Sequence, residues 1–93
     1  MTDETQTREL KIVNEKGLHA RASAKLVEVV EGFDATAEVS KDGDSASGDS
    51  IMGLLMLAAS KGTSIEVQTR GPDAKALADA IAALVADRFG EDC

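Results

Sequence analysis

The sequence predicts an α+β domain, with one antiparallel sheet and helices packed on a single face of it. Residues 33–40 and 64–70 alternate apolar and polar side chains, which is typical of strands with one buried face. Three other segments place apolar residues at helical spacing instead. At 93 residues, with 43% apolar but only 2% aromatic residues, the chain has room for one aliphatic core.

The first strand is predicted over residues 9–14, where Leu10 and Ile12 point inward. The polar, acidic residues 1–7 before it are expected to form a disordered tail. Residues 15–17 then turn the chain toward His19.

The first helix is predicted to run from His19 to about Gly32, where glycine suits a C-terminal cap. Its apolar stripe consists of Ala22, Leu26, Val29, Val30 and Phe33. The second strand follows at residues 33–40, and the Asp-Gly pair at residues 42–43 predicts a hairpin to a weakly patterned strand at 45–48.

A short helix is predicted over residues 49–59, with Asp49 or Ser50 as its cap. A fourth strand at 64–70 and a turn at 71–73 precede the last helix, which ends near Gly90. The core stripe of that helix is Leu77, Ile81, Leu84 and Val85. The predicted order is β-α-β-β-α-β-α, and periodicity alone leaves a ferredoxin-like sheet open as an alternative.

His19 is the only histidine in the chain, and it stands at the predicted start of the first helix. Unpaired backbone N–H groups and the positive pole of the helix dipole favour an anion there. An imidazole in that position can serve as a general base, a metal ligand or a phosphoryl-carrying nucleophile. No second ligand cluster accompanies it, whereas Arg21 offers a guanidinium suited to phosphate, so phosphoryl transfer fits the residues best.

Charge and cysteine content exclude several other classes. The net charge of −7 and the absence of Trp and Tyr disfavour nucleic-acid binding. The single cysteine, Cys93, allows no intramolecular disulfide. No segment has the apolar length of a membrane span or signal peptide, so we expect a cytoplasmic protein without membrane insertion.

Two motifs resemble HPr, the histidine-containing phosphocarrier family of the bacterial phosphotransferase system, which includes the NPr proteins. They are Gly17-Leu18-His19-Ala20-Arg21 and, some thirty residues later, Ser50-Ile51-Met52-Gly53. The resemblance covers residues 8–90, which we expect to form a single domain followed by a C-terminal tail at 91–93. It selects an open-faced β-sandwich, a four-stranded antiparallel sheet with three helices on one face.

The resemblance implies that His19 is phosphorylated on Nδ1, that Arg21 assists, and that Ser50 is a regulatory phosphorylation site. It also implies that Ile51, Met52 and Leu55 form an exposed docking patch for partner proteins. The expected partners are Enzyme I as donor, EIIA-type proteins as acceptors and an HPr kinase/phosphorylase. The protein would then be a monomeric carrier, without metal or cofactor, rather than an independently turning-over enzyme, and it would serve sugar uptake or nitrogen/carbon regulation.

The chain departs from the family pattern in two places. Ala22 stands where the family usually has proline, which adds a backbone N–H and removes the fixed φ at the helix start. Glu28 and Glu31 stand late in the first helix, where many HPr proteins carry basic residues.

Two alternative functions remain at this point. The Asp49-Ser50-Ile51 step resembles the attachment site of an acyl carrier protein, in which Ser50 would hold the prosthetic group. Such carriers are helical bundles, however, and the strand periodicity of this chain argues against one. The other alternative is a small α+β module that binds a ligand without covalent chemistry, which would leave the placement of His19 and Arg21 unexplained.

Overall fold

A computed structural model describes residues 4–92 of the chain. The predicted order of strands and helices is confirmed, with a short 3₁₀ helix added after the last α-helix. The elements are β1 (Glu4–Lys11), α1 (Ala20–Glu31), β2 (Thr36–Lys41), β3 (Asp44–Ser47), α2 (Ile51–Met56), β4 (Ser64–Gly71), α3 (Ala74–Ala86) and the 3₁₀ helix Arg88–Gly90. Within the described part, no helix is long and apolar enough to cross a bilayer.

The four strands form one antiparallel sheet in the order β1-β4-β2-β3. The register places Leu10 opposite Ile65, and Val39 opposite Val67, so the apolar side chains share one face. Helix α3 lies against β1 and β4, while α1 packs on α2 and α3. The other face of the sheet is polar and exposed, which confirms the predicted open-faced sandwich.

The core between the sheet and the helices is aliphatic apart from Phe89, which is fully buried. Its other large, fully buried apolar members come from every layer: Ile12, Leu26, Val39, Leu54, Ile65, Val67, Leu77, Ile81 and Val85. Phe89 follows α3 in the chain, so its burial anchors the 3₁₀ helix in the core.

The first two strands differ from their predicted limits. Strand β1 begins at Glu4, because it pairs with β4 along its whole length and Glu4 lies opposite Gly71. The predicted disordered tail is therefore wrong for residues 4–7, and residues 1–3 lie outside the described residues. Strand β2 begins only at Thr36, because Asp34 is held in a turn by two hydrogen bonds with Asp73.

Helices α2 and α3 are shorter than predicted. Helix α2 ends at Met56 because Ala58 takes a positive φ of 52°, which breaks the helical path. Helix α3 ends at Ala86, and Arg88 and Phe89 then adopt φ values of 57° and 55°. This second break turns the chain back toward the N-terminus of α1.

Candidate functional site

His19 is the N-cap residue of α1, with an extended backbone and a carbonyl that accepts the hydrogen bond of Ser23 N–H at 2.8 Å. Its side chain makes no capping hydrogen bond, so the imidazole is not used to close the helix end. The ring is 26% exposed, and no acidic residue lies in the first turn of α1. The first turn of α1 therefore contributes no negative charge at the positive pole of the helix, which lies beside an accessible imidazole.

The loop before His19 is fixed by Gly17, whose φ is +65°. A Cβ on Gly17 would overlap the Ala59 carbonyl oxygen and lie 2.9 Å from Ser60 Cα. The next residue, Leu18, donates its N–H to that same Ala59 oxygen at 2.8 Å. Glycine is therefore required here for both its conformation and its size, and the loop holds His19 next to the segment that follows α2.

Glu91 contacts His19, although the sequence placed it in a tail. Asn14, which is fully buried, donates from Nδ2 to Gly17 O and to Glu91 Oε1, each at 2.9 Å. The other carboxylate oxygen, Oε2 of Glu91, makes a close hydrogen bond with Nε2 of His19. The prediction of a tail at residues 91–93 is thus wrong for Glu91, and Cys93 lies outside the described residues.

The pKa of the Glu91 carboxyl is lowered, and the largest cause is the hydrogen bond from Asn14. Burial opposes this shift, while the contact with His19 and the charge of Lys16 lower the pKa further. Because this pKa is depressed, the ionised carboxylate and its contacts are fully formed above the ordinary range of a glutamate. They are lost only as the pH falls through the lowered pKa.

The segment that delivers Glu91 is held at two points. The Phe89 ring is buried in the core, and the Lys25 ammonium donates to the Phe89 carbonyl at 2.6 Å. Arg88 and Phe89 both adopt positive φ, a conformation that is costly for such residues and persists only where packing enforces it.

Arg21 lies in the first turn of α1 and is exposed. No ion pair found among residues 4–92 involves it. It lines a cleft of about 300 Å³ together with Lys16, Lys25 and Glu91. The structure thus brings Arg21 to the same side of α1 as the carboxylate that contacts His19, with its guanidinium free for an anion.

Ser50 is the N-cap of α2, and its Oγ accepts the Gly53 N–H at 3.0 Å. The predicted patch residues Ile51 and Met52 are 39% and 70% exposed, but Leu55 is half-buried. Met56, which sequence reasoning did not include, is 80% exposed. The hydrogen bond from Leu18 N to Ala59 O joins the loop before His19 to the segment that follows α2.

Sequence reasoning missed Asn14 and Glu91, and it left Met56 out of the predicted patch. Glu91 is separated from His19 by 72 residues, so no local spacing links them. Met56 belongs to an apolar run that is too long for every member to be buried by so short a helix, and that excess is the sequence signal for its exposure.

Comparison with known proteins places this fold and site in a class. The family described as "PTS HPr component phosphorylation site" matches residues 6–87. The phosphocarrier protein HPr of Cupriavidus necator is 45% identical over 84 residues, covering 90% of this chain and 94% of that protein. The phosphocarrier protein NPr of Escherichia coli K12 is 40% identical, covering 89% and 93%.

Among solved structures, HPr-C-His from Thermoanaerobacter tengcongensis superposes with a TM-score of 0.90 at 31% identity, covering 95% of this chain and 99% of that one. The fold and these similarities define a phosphocarrier of the phosphotransferase system. The chain belongs to the HPr family, the histidine-containing phosphocarriers that include HPr and NPr. Partners of such a protein are components of the same phosphotransferase system.

Proposed function

We propose that His19 accepts a phosphoryl group on Nδ1 from phosphorylated Enzyme I and passes it to an EIIA-type acceptor. The observation that carries this proposal is the position of His19 as N-cap of α1, with an accessible ring that is not used for capping. Nε2 is occupied by Glu91, and Nδ1 makes no hydrogen bond to any residue that the structure describes. The nucleophilic nitrogen is then Nδ1.

The transfer needs few groups. The Nδ1 lone pair forms a bond to phosphorus while the bond between phosphorus and the donor's nitrogen breaks, and that electron pair stays with the donor. The first backbone N–H groups of α1, and the Arg21 guanidinium in the cleft that Glu91 also lines, would stabilise the phosphoryl oxygens. In the second transfer a nucleophile of the acceptor forms a bond to phosphorus while the bond between phosphorus and Nδ1 breaks, and that electron pair returns to Nδ1.

Docking is assigned to the exposed surface of α2. Ile51, Met52 and Leu55 form the proposed patch, and the exposure of Met56 extends it. Methionine side chains adapt to different partner surfaces, which suits a carrier that must bind a donor and an acceptor in turn. A cytoplasmic, monomeric protein fits this role.

Ser50 is the proposed regulatory site, modified by an HPr kinase/phosphorylase. Its hydroxyl is at the N-terminal end of α2, beside Ile51 and Met52. A phosphate there would add about −1.5 to −2 charges next to the patch and would have to be desolvated on docking. The same position does not support an acyl carrier, because the sheet differs from a helical bundle.

The test uses purified protein with Enzyme I and phosphoenolpyruvate. The parent chain should acquire a phosphate that is acid-labile and sensitive to hydroxylamine, as a phosphoramidate is and a phosphoserine ester is not. His19→Ala should acquire none. Labelling of His19→Ala with the same chemical stability would overturn the assignment.

A further inference from the structure

The contact between Glu91 and His19 fixes where the imidazole hydrogen lies. Asn14 Nδ2 donates to Oε1, and this hydrogen bond requires an acceptor there. An ionised carboxylate has no hydrogen to donate, so the hydrogen between Oε2 and Nε2 must belong to the imidazole. A neutral imidazole carries one ring hydrogen, and with that hydrogen on Nε2 the lone pair is on Nδ1.

We propose that Glu91 is a positioning residue for phosphoryl transfer, which keeps the His19 hydrogen on Nε2 and presents Nδ1 as the nucleophile. This inference rests on the proposed function and deepens it. Asn14 acts through Glu91, because its amide holds the carboxylate while also holding the Gly17 carbonyl in the loop before His19. The C-terminal segment is thus a working part of the site.

Glu91 has a second effect once the new bond forms. Nδ1 gives its lone pair to phosphorus while Nε2 keeps its hydrogen, so the ring acquires a positive charge and the phosphoryl group remains anionic. The Glu91 carboxylate lies at Nε2, where it compensates the charge on the ring. Lys16, Arg21 and Lys25 line the same cleft as Glu91. These cations would attract the anionic phosphoryl group to this end of α1.

The geometry that supports this arrangement is demanding. Three consecutive residues, Arg88, Phe89 and Gly90, have positive φ, and only then does the chain extend into Glu91. At Gly90 the constraint is the positive φ of +78°, since the one atom of the described residues near an added Cβ is the ammonium at the end of the flexible Lys25 side chain, which donates to the Phe89 carbonyl. A disordered tail would not require three consecutive positive φ values. The path that brings the Glu91 carboxylate to the His19 ring does require them.

The decisive variant is Glu91→Gln, because the amide keeps the size of the side chain and has only one acceptor oxygen. If that oxygen faces Asn14, the amide nitrogen faces Nε2 and donates to it, which moves the ring hydrogen to Nδ1 and blocks the nucleophile. Asp92→Asn is the matched control, since it removes the same charge from the exposed neighbour of Glu91.

The readout is single-turnover transfer from phosphorylated Enzyme I over a range of carrier concentrations. We expect the maximal rate of Glu91→Gln to fall roughly 10-fold or more, with little change in the half-saturating concentration. Asp92→Asn should match the parent, and Glu91→Asp should retain part of the rate. Equal maximal rates for Glu91→Gln and Asp92→Asn would overturn the inference.

A measurement on the parent chain alone keeps the test independent of the variants. Nitrogen-15 NMR of the neutral His19 ring distinguishes a protonated from an unprotonated nitrogen, and we expect Nε2 to carry the hydrogen. A spectrum with the hydrogen on Nδ1 contradicts the inference. Failure of the parent to become phosphorylated would instead contradict the proposed function, so the two failures are distinguishable.

Discussion

Replacing Gly17 with alanine should destabilise the protein more than the same change at any exposed turn glycine. The residue has a φ of +65°, and an added Cβ would overlap the Ala59 carbonyl oxygen and lie 2.9 Å from Ser60 Cα. To reach an ordinary contact distance, the loop before His19 must move away from the segment after α2 by ~0.5 Å or more. That movement stretches the hydrogen bond from Leu18 N to Ala59 O.

The expected cost has two contributions. The left-handed conformation costs an alanine about 1–2 kcal/mol, and loss of a backbone hydrogen bond adds about 0.5–1.5 kcal/mol. With residual overlap, Gly17→Ala should lower the free energy of unfolding by roughly 2–4 kcal/mol. In a domain of this size the melting temperature should fall by roughly 10–25 °C.

Gly43 and Gly62 provide matched controls. Their φ values are +87° and +90°, and nothing lies within 4 Å of an added Cβ at either position. Alanine there should cost only the conformational contribution, about 1–2 kcal/mol. Urea titration of the three variants measures the difference, and a Gly17→Ala variant as stable as the two controls would refute the steric argument.

Two further predictions concern the proposed site residues. Arg21→Ala should slow phosphoryl transfer roughly 10-fold or more. Its melting temperature should stay nearly unchanged, because the side chain is exposed and forms no ion pair among the described residues. Rapid-quench kinetics and thermal melting measure the two effects, and an unchanged rate would remove Arg21 from the site. Ser50→Asp should keep the cap of α2 and slow labelling by Enzyme I, whereas Ser50→Ala should transfer normally and lose about 1 kcal/mol of stability. Equal labelling rates for the parent and Ser50→Asp would leave Ser50 as a helix cap alone.

Local sequence determined the elements that could be predicted well. Helix α1 and strand β4 begin and end within about a residue of their predicted limits, because their periodic apolar faces and flanking glycines are read within one segment. Strand β1 was misjudged because residues 4–7 have weak patterning, and their extended conformation depends on pairing with β4, some sixty residues away in the chain.

The residues of the candidate site also differ in whether local sequence could reveal them. His19 and Arg21 could be found because the motif and the start of α1 are contiguous in the sequence. Glu91 could not, because its position depends on the burial of Phe89, on the positive φ of Arg88 and on an amide donated by Asn14 from the other end of the chain. A carboxylate near a chain end has no periodicity to reveal it, so only the folded arrangement shows that it reaches His19.

Substitutions near His19 are expected to affect one another. His19 is held from two directions, by the contact of Gly17 with Ala59 and by the hydrogen bond of Glu91 with Asn14, and both sets of contacts meet at the loop of residues 14–19. Asn14 joins them, since the same amide nitrogen donates to the Gly17 carbonyl and to Glu91. Because both sets of contacts involve this buried residue, a substitution that disturbs one set is expected to alter the other. The effects of Gly17 and Glu91 substitutions on the transfer rate should therefore be non-additive.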